Sequence, residues 1–165
     1  MVVEESIFPK RAYMDTSIFI SEFRKKDERH QVLTDFIKKV EKLKKPTLCY
    51  SRWALAETYN RLMKDEFLEA DILRFIKNIL ETNKLRSLNI KPIGVYPNKN
   101  YSFDDFFNNL GVDLIKYKTG KDRPGLGDII HIRIMKNNRI KTILTSDSHF
   151  EGIPGIIPIN ISNKK

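Results

Sequence analysis

The chain contains few of the side chains that build disulfide frameworks or zinc sites. It has one cysteine, Cys49, and three histidines, His30, His131 and His149, which are far apart in the sequence. A single cysteine excludes an internal disulfide, and its apolar neighbours favour a buried thiol over a nucleophile. Because the histidines are scattered and no second cysteine joins them, we do not expect a zinc site.

Long apolar runs are also missing. No stretch approaches the length of a membrane span, and residues 1–5 lack the basic start and apolar centre of a signal peptide. We therefore expect a soluble cytoplasmic protein without a membrane partner, and the lone thiol fits a reducing compartment. Neither an internal repeat nor a low-complexity linker divides the 165 residues, so we predict one domain over 1–165 with a core at about 11–160.

Acidic residues are outnumbered by basic ones. The chain has 30 Lys and Arg against 21 Asp and Glu, a formal net charge of +9. Such a surface attracts polyanions, with nucleic acid as the first candidate, although a lysine-rich surface can also reflect general composition. A basic, glycine-containing loop at 116–125 could meet phosphates or could be a solvated connector, and both interpretations stay open.

Predicted strands and helices alternate along the chain. Short apolar runs predict strands at 12–14, 47–50, 92–95, 142–145 and 156–159. Apolar residues at three- and four-residue spacing predict helices at about 32–43, 52–64, 66–85, 103–115 and 128–137. This alternation is typical of an α/β fold in which helices cover both faces of a parallel sheet.

Four acids fall where such a sheet could bring them together. Asp15 follows the first predicted strand and Asp147 the fourth, so both emerge at one edge if those strands are neighbours. Asp128 begins one helix and Glu57 lies within another, and each helix must reach that edge. Each acid also has an ordinary explanation, which is a helix or turn cap for the three aspartates and an ion pair with Arg61 for Glu57.

Taken together, the four acids favour a bound cation. Carboxylates that converge without basic partners repel one another unless protons or a cation neutralise them. Hard oxygen ligands suit Mg²⁺ or Mn²⁺. His131, one helical turn after Asp128, is expected to pack or to form hydrogen bonds rather than to bind the metal.

The segments that carry these acids have a familiar order. Residues 15–17 follow a strand, 54–57 lie in a helix, 125–131 open a helix, and 144–150 form a strand followed by a turn. In this order they resemble PIN-domain ribonucleases, most of all the VapC-type toxins, over about 11–160. The resemblance implies a three-layer α/β/α sandwich with a central parallel sheet, and Mg²⁺- or Mn²⁺-dependent hydrolysis of RNA phosphodiester bonds.

The resemblance also implies roles for individual residues and partners. The acids that match the family's catalytic and metal-binding quartet are Asp15, Glu57, Asp128 and Asp147, and the hydroxyls that match its pocket are Thr16, Ser17 and Thr145. The candidate RNA-binding residues in the basic loop are Lys118, Lys121 and Arg123. A toxin would pair with a protein antitoxin that blocks the acidic groove, and would form a homodimer.

Other functions remain as alternatives. A stand-alone RNA-processing nuclease would need no antitoxin, and a non-catalytic PIN-like module would bind RNA or protein through its fold alone. A phosphoacceptor domain fits less well because the third predicted strand ends without an acid. A haloacid-dehalogenase-like phosphatase needs a second aspartate where this chain has Ser17.

Overall fold

Six strands and six α-helices make up the described structure. The computed structural model describes residues 8–43, 46–117 and 124–161. The strands are β1 (Arg11–Met14), β2 (Thr47–Ser51), β3 (Lys84–Leu85), β4 (Leu88–Ile93), β5 (Thr142–Thr145) and β6 (Ile157–Asn160). The helices are α1 (Thr16–Phe23), α2 (Glu28–Glu41), α3 (Arg52–Lys64), α4 (Glu69–Thr82), α5 (Phe103–Tyr117) and α6 (Leu126–Asn137), with a 3₁₀ turn at Ser148–Phe150.

The strands form one mostly parallel sheet in the order β3-β4-β2-β1-β5-β6. β1 lies at its centre, with Tyr13 paired to Cys49 of β2 on one side and to Ile143 of β5 on the other. The predicted neighbourhood of the first strand and the strand 142–145 is therefore confirmed. Both strands run in the same direction, so their carboxyl ends meet at one edge.

The core lies in two layers, one on each face of the sheet. Alternate residues of β1 point to opposite faces, as the two-residue period of a strand requires. Ala12 and Met14 pack with α1, α2, and α4, whereas Tyr13 packs with α5 and α6. β5 repeats this alternation through Leu144 and Ile143. The predicted three-layer α/β/α sandwich is confirmed.

The region after α3 differs in detail from its prediction. The helix predicted at 66–85 runs only over Glu69–Thr82, because Asn83 takes a left-handed conformation (φ 49°) that ends it. The chain then enters β3, an antiparallel edge strand that the apolar pattern did not predict. The strand predicted at 92–95 runs over Leu88–Ile93, since pairing with β2 rather than local apolarity sets its limits.

A buried ion cluster fastens α5 to α6. Asp113 on α5 is only 2% exposed and accepts hydrogen bonds from Arg133 Nε and Lys136 Nζ of α6, each at 2.7 Å. The ammonium of Lys136 also lies 4.8 Å from the centre of the Tyr117 ring. The two cations neutralise the buried carboxylate, which makes this a structural contact.

Among the described helices, none combines the length and apolarity that a membrane crossing requires.

Candidate functional site

The four predicted acids line one cleft at the carboxyl end of the sheet. The cleft has a volume of about 650 Å³. Its lining contains four acids, Asp15, Glu57, Asp128 and Asp147, and four bases that we call its basic side, Arg24, Arg29, Arg61 and Lys64. The exposed fraction of the side chains rises from 7% at Asp15 to 39% at Asp147, so the acids extend from the floor to the opening.

Asp15 lies at the floor and is held by three neighbours. As the residue between β1 and α1, it caps α1 by accepting a hydrogen bond from the Thr16 amide at Oδ1 (2.6 Å). Its other oxygen, Oδ2, accepts bonds from the hydroxyls of Ser17 (2.9 Å) and Thr145 (2.8 Å). The cap of α1 is therefore Asp15, in agreement with the ordinary explanation given for this acid. A single carboxylate can therefore cap a helix and also line the cleft.

Asp147 and Asp128 have capping roles of the same kind. Asp147 accepts a bond from the His149 amide (2.9 Å) and so opens the 3₁₀ turn after β5. Asp128 lies in the first turn of α6 and accepts a bond from the Gly125 amide (2.8 Å). The helix begins at Leu126, two residues before the predicted start, because the hydrogen bond that the Gly125 amide donates to Asp128 organises its first turn. The start of α6 reaches the same edge as the strand ends.

Glu57 enters the cleft from the side of α3. Its Oε2 accepts hydrogen bonds from Thr16 Oγ1 (2.6 Å) and from His131 Nε2 (2.8 Å). Its Oε1 faces the first turn of α6 so closely that a Cβ on Gly127 would lie 2.4 Å from it. Glycine at 127 therefore lets α6 approach the carboxylate. All three predicted pocket hydroxyls, Thr16, Ser17 and Thr145, bond to an acid of the cleft.

Two imidazoles lie among the acids, which corrects the prediction that the carboxylates converge without basic partners. His131 Nε2 lies 2.8 Å from Glu57 and 3.4 Å from Asp15. His149 Nδ1 lies 3.5 Å from Asp128 and 3.3 Å from Asp147. Histidines that are scattered in the sequence are thus brought into the site by α6 and by the turn after β5. The sequence contained one signal for this placement, which is the short spacing from Asp128 to His131 and from Asp147 to His149.

The pKa shifts follow from this arrangement. Burial raises the pKa of Asp128 above its ordinary value, and the charges of Asp15 and Asp147 raise it further. Burial also opposes ionisation of Glu57, but hydrogen bonds from His131 and Thr16 and the nearby Arg61 lower its pKa on balance. Burial alone would lower the pKa of His131, yet the bond to Glu57 and the surrounding carboxylates raise it.

The donors present fit a divalent cation. Single ligand atoms of Asp15, Glu57 and His131 all lie within 4.8 Å of one another. The raised pKa of Asp128, with Asp15 and Asp147 among its causes, indicates that these carboxylates repel one another without a cation. Carboxylate oxygens are the ligands that Mg²⁺ and Mn²⁺ prefer, and one imidazole beside them is compatible with Mn²⁺.

The basic side of the cleft did not come from the predicted loop. Lys118, Lys121 and Arg123 lie outside the described residues. The bases that line the cleft come instead from α2, α3 and the end of α1. Asp65 holds two of these bases, since it pairs with Arg24 and lies 3.9 Å from Arg61. Tyr13 and Ser51, beneath the cleft, were also missed as polar residues of the site.

Comparison with known proteins identifies the family. The family model of the PIN domain matches residues 12–156, which is most of the chain. The chain therefore belongs to the PIN domain family. No curated protein matches it.

Two solved structures share the fold. One is VapC20 of Mycobacterium tuberculosis, described as a sarcin-ricin loop cleaving toxin, with 15% identity and a TM-score of 0.57 over 83% of this chain and 90% of that one. The other is VapBC2 of Rickettsia felis, bound to a DNA fragment from its promoter, with 15% identity and a TM-score of 0.61 over 91% and 98%. At this identity the likeness shows a common fold.

Proposed function

We propose that this protein is a divalent-metal-dependent endoribonuclease. The observation that carries the proposal is the convergence of four carboxylates in one cleft of a PIN domain, with the pKa of Asp128 raised by burial and by its acidic neighbours. A site built only for stability would pair these charges, as the chain does at Asp113. An acid whose pKa is raised by burial and by neighbouring carboxylates, at the carboxyl end of a parallel sheet, is typical of a functional site.

The acids have different roles in this proposal. Asp15 and Asp128 are the leading metal ligands, and Asp147 and Glu57 complete the site. When bound, a Mg²⁺ or Mn²⁺ ion supplies positive charge beside the phosphate and makes a water molecule more acidic. Glu57 stays ionised because its pKa is lowered, so its carboxylate can orient that water or accept its proton. Ser17 and Thr145 keep Asp15 in place.

RNA would enter along the basic side of the cleft. Arg29, Arg61 and Lys64 line the cleft beside the acids and would hold the phosphates through charge. Asp65 partly neutralises Arg61, which leaves Lys64 at the end of α3 as the simplest phosphate contact to test. The loop residues Lys118, Lys121 and Arg123 remain candidates for binding the phosphates of the same RNA.

We further propose that the nuclease is the toxin of a toxin-antitoxin pair that acts in the cytoplasm. The support is the fold shared with VapC20, described as a toxin, and with VapBC2, over at least 83% of this chain. The expected partners are a protein antitoxin, which would cover the acidic cleft, and a second copy of the chain. A stand-alone processing nuclease has the same cleft and differs in having no antitoxin.

Metal binding is the first test because it requires no knowledge of the RNA target. Calorimetric titration with Mn²⁺ should show binding to the wild type and a loss of binding in Asp128→Asn. Asp104→Asn is the matched control, because Asp104 is an exposed acid on α5 outside the cleft, and it should bind as the wild type does. A folded wild type that binds no Mn²⁺, with or without an RNA oligonucleotide, would contradict the proposal.

Cleavage and toxicity are tested with the same variants. Wild type and Asp104→Asn should cut a mixed RNA pool in Mg²⁺ or Mn²⁺ and stop in EDTA, whereas Asp15→Asn and Asp128→Asn should be inactive while remaining folded by circular dichroism. Expression of the wild type should arrest growth, and Asp15→Asn should not. Metal-dependent cleavage without growth arrest would favour the stand-alone nuclease over the toxin.

A further inference from the structure

Beneath the cleft, a chain of hydrogen bonds links Glu57 to the centre of the sheet. His131 joins Glu57 through Nε2 (2.8 Å) and the phenol of Tyr13 through Nδ1 (2.7 Å). The phenol oxygen also lies 2.7 Å from Ser51 Oγ. Ser51 is the N-cap of α3, whose second turn carries Glu57, so the chain starts and ends on the same helix. It crosses β1 and α6 between those two points.

The members of this chain are withdrawn from water. Tyr13 and Ser51 are 0% exposed and His131 is 1% exposed. Burial raises the pKa of Tyr13 far above its ordinary value, so the phenol keeps its proton. Each group must therefore satisfy its donors and acceptors within the protein, and the number of available protons limits the directions in which the bonds can run.

The carboxylates determine where the neutral imidazole carries its proton. Nε2 faces Glu57 Oε2 at 2.8 Å and Asp15 Oδ1 at 3.4 Å, and both oxygens are acceptors when ionised. Thr16, which lies 3.1 Å from Nε2, already donates its own proton to Glu57. A bare Nε2 would direct its lone pair at these oxygens, so the proton belongs on Nε2.

The remaining directions then follow from the count of protons. A neutral ring with its proton on Nε2 has an accepting Nδ1, and the Tyr13 hydroxyl donates to it. The phenol oxygen then accepts the proton of Ser51, whose oxygen accepts the Ala54 amide at 3.2 Å as the cap of α3. Ser51 thus donates to Tyr13, Tyr13 to His131, and His131 to Glu57, with every group in this sequence satisfied.

We infer that Tyr13 and Ser51 are positioning residues, which fix the orientation of the His131 ring so that its Nε2 proton is directed at Glu57 and thereby hold that carboxylate in the cleft. A hydrogen-bond partner on one ring nitrogen fixes the ring orientation in which the other nitrogen is presented. Such outer partners commonly tune the groups that bind a metal or a substrate. The role assigned to Glu57 rests on the proposed nuclease function, whereas the hydrogen-bond chain beneath it does not.

Tyr13→Phe tests this inference because it removes one hydroxyl and keeps the shape of the ring. The matched control is Tyr50→Phe on the neighbouring strand β2. The Tyr50 hydroxyl donates to Asn83 at 2.8 Å, and its ring packs on the opposite face of the sheet. Tyr13→Phe removes two hydrogen bonds of a core tyrosine and Tyr50→Phe removes one, so a purely structural effect should lower stability in both variants without a specific change at His131.

The first readout is the ¹⁵N spectrum of the histidine side chains in metal-free protein, at a pH where the ring is neutral. His131→Gln identifies the signal of His131. We expect the Nε2-protonated form in wild type, Tyr50→Phe and Tyr13→Phe, because the carboxylates that face Nε2 are unchanged. The Nδ1 signal should shift in Tyr13→Phe alone, because Nδ1 loses its hydrogen bond from the phenol. Wild type in the Nδ1-protonated form, or an unchanged Nδ1 signal in Tyr13→Phe, would overturn the inference.

The second readout is Mn²⁺ affinity by calorimetry. We expect Tyr13→Phe to bind about 10-fold more weakly than wild type, the lower end of the range for outer-shell changes, and Tyr50→Phe to bind equally well. Equal affinity in Tyr13→Phe and wild type would overturn the effect on Glu57. Absence of Mn²⁺ binding in wild type would contradict the nuclease proposal instead, and the Nδ1 signal would still decide the role of Tyr13.

Discussion

Helix α6 borders two acidic sites whose charge is compensated differently. On one side, Asp113 is neutralised by Arg133 and Lys136 of this helix. At its amino end, Asp128 shares the cleft with three further acids, and burial and repulsion raise its pKa. The first site is paired within the chain, whereas at the second Asp15 and Asp147 still raise the pKa of Asp128 despite the nearby His149, a repulsion that an external cation would relieve. The number of acids alone does not distinguish the two sites, but the pairing of their charges does.

The comparison predicts the largest loss of stability at Asp113. Asp113→Ala leaves two cations beside a buried site without their partner, so we expect the free energy of unfolding to fall by about 3 kcal/mol. The measurement is urea denaturation followed by circular dichroism. The control is Asp71→Ala, which removes an exposed acid 3.4 Å from Arg74 and should cost less than about 1 kcal/mol. Equal losses in the two variants would remove the distinction between the two acidic sites.

In metal-free protein, the substitution Asp128→Asn is expected to raise the free energy of unfolding rather than lower it. Because folding raises the pKa of this carboxyl, its contribution to stability is fully present below the unfolded pKa and is lost as pH rises through the folded pKa. Asp128→Asn should therefore unfold at higher urea than wild type at neutral pH in EDTA, with a smaller difference in acid. A destabilised Asp128→Asn at neutral pH would contradict this assignment.

Added Mn²⁺ should make the wild type more stable than Asp128→Asn. A ligand that binds only the folded state at a hundred times its dissociation constant stabilises it by about 2.7 kcal/mol. Wild type should gain this amount at such a Mn²⁺ concentration, and Asp128→Asn should gain much less at the same concentration. Thermal denaturation with and without Mn²⁺ measures the difference, and equal gains would indicate that the ion binds elsewhere.

A smaller effect is expected where α6 approaches Glu57. Gly127→Ala places a Cβ 2.4 Å from the present position of Glu57 Oε1 and should displace that carboxylate, which weakens Mn²⁺ binding by about 10-fold. Gly111→Ala on α5 is the control, since its Cβ meets nothing within 4 Å. It should stabilise the protein by about 1 kcal/mol or less without changing the affinity. Unchanged Mn²⁺ affinity in Gly127→Ala would argue against a fixed Glu57.

The smallest effect concerns the basic side of the cleft. Lys64→Ala should reduce the salt dependence of binding to single-stranded RNA by about 0.7 in the slope of log K against log salt, the value for one phosphate contact. Lys77→Ala, on α4 outside the cleft, should leave the slope unchanged. Fluorescence anisotropy in EDTA, which prevents metal-dependent cleavage, provides the measurement. Equal slopes would exclude Lys64 from the RNA path.

Local patterns predicted much of the architecture. The predicted helix at about 52–64 and the predicted strand at 142–145 agree with α3 and β5, because both elements bury regular faces in the core. The same patterns missed β3 and misplaced β4. β3 is the edge strand and begins just after Asn83 ends α4, and β4 lies between β3 and β2, where pairing with β2 decides its register. Local apolarity is a weak guide where a strand is only partly covered.

The sequence by itself determined the α/β class, the acids that follow β1 and β5, and the resemblance to PIN-domain ribonucleases. These features rest on residue types and on spacing within one element. Only the tertiary structure decided that His131 and His149 lie between pairs of acids, and that hydrogen bonds link Ser51 and Tyr13 to Glu57 through His131. Contacts between residues 38 to 118 positions apart depend on how strands and helices pack, and no local pattern encodes them.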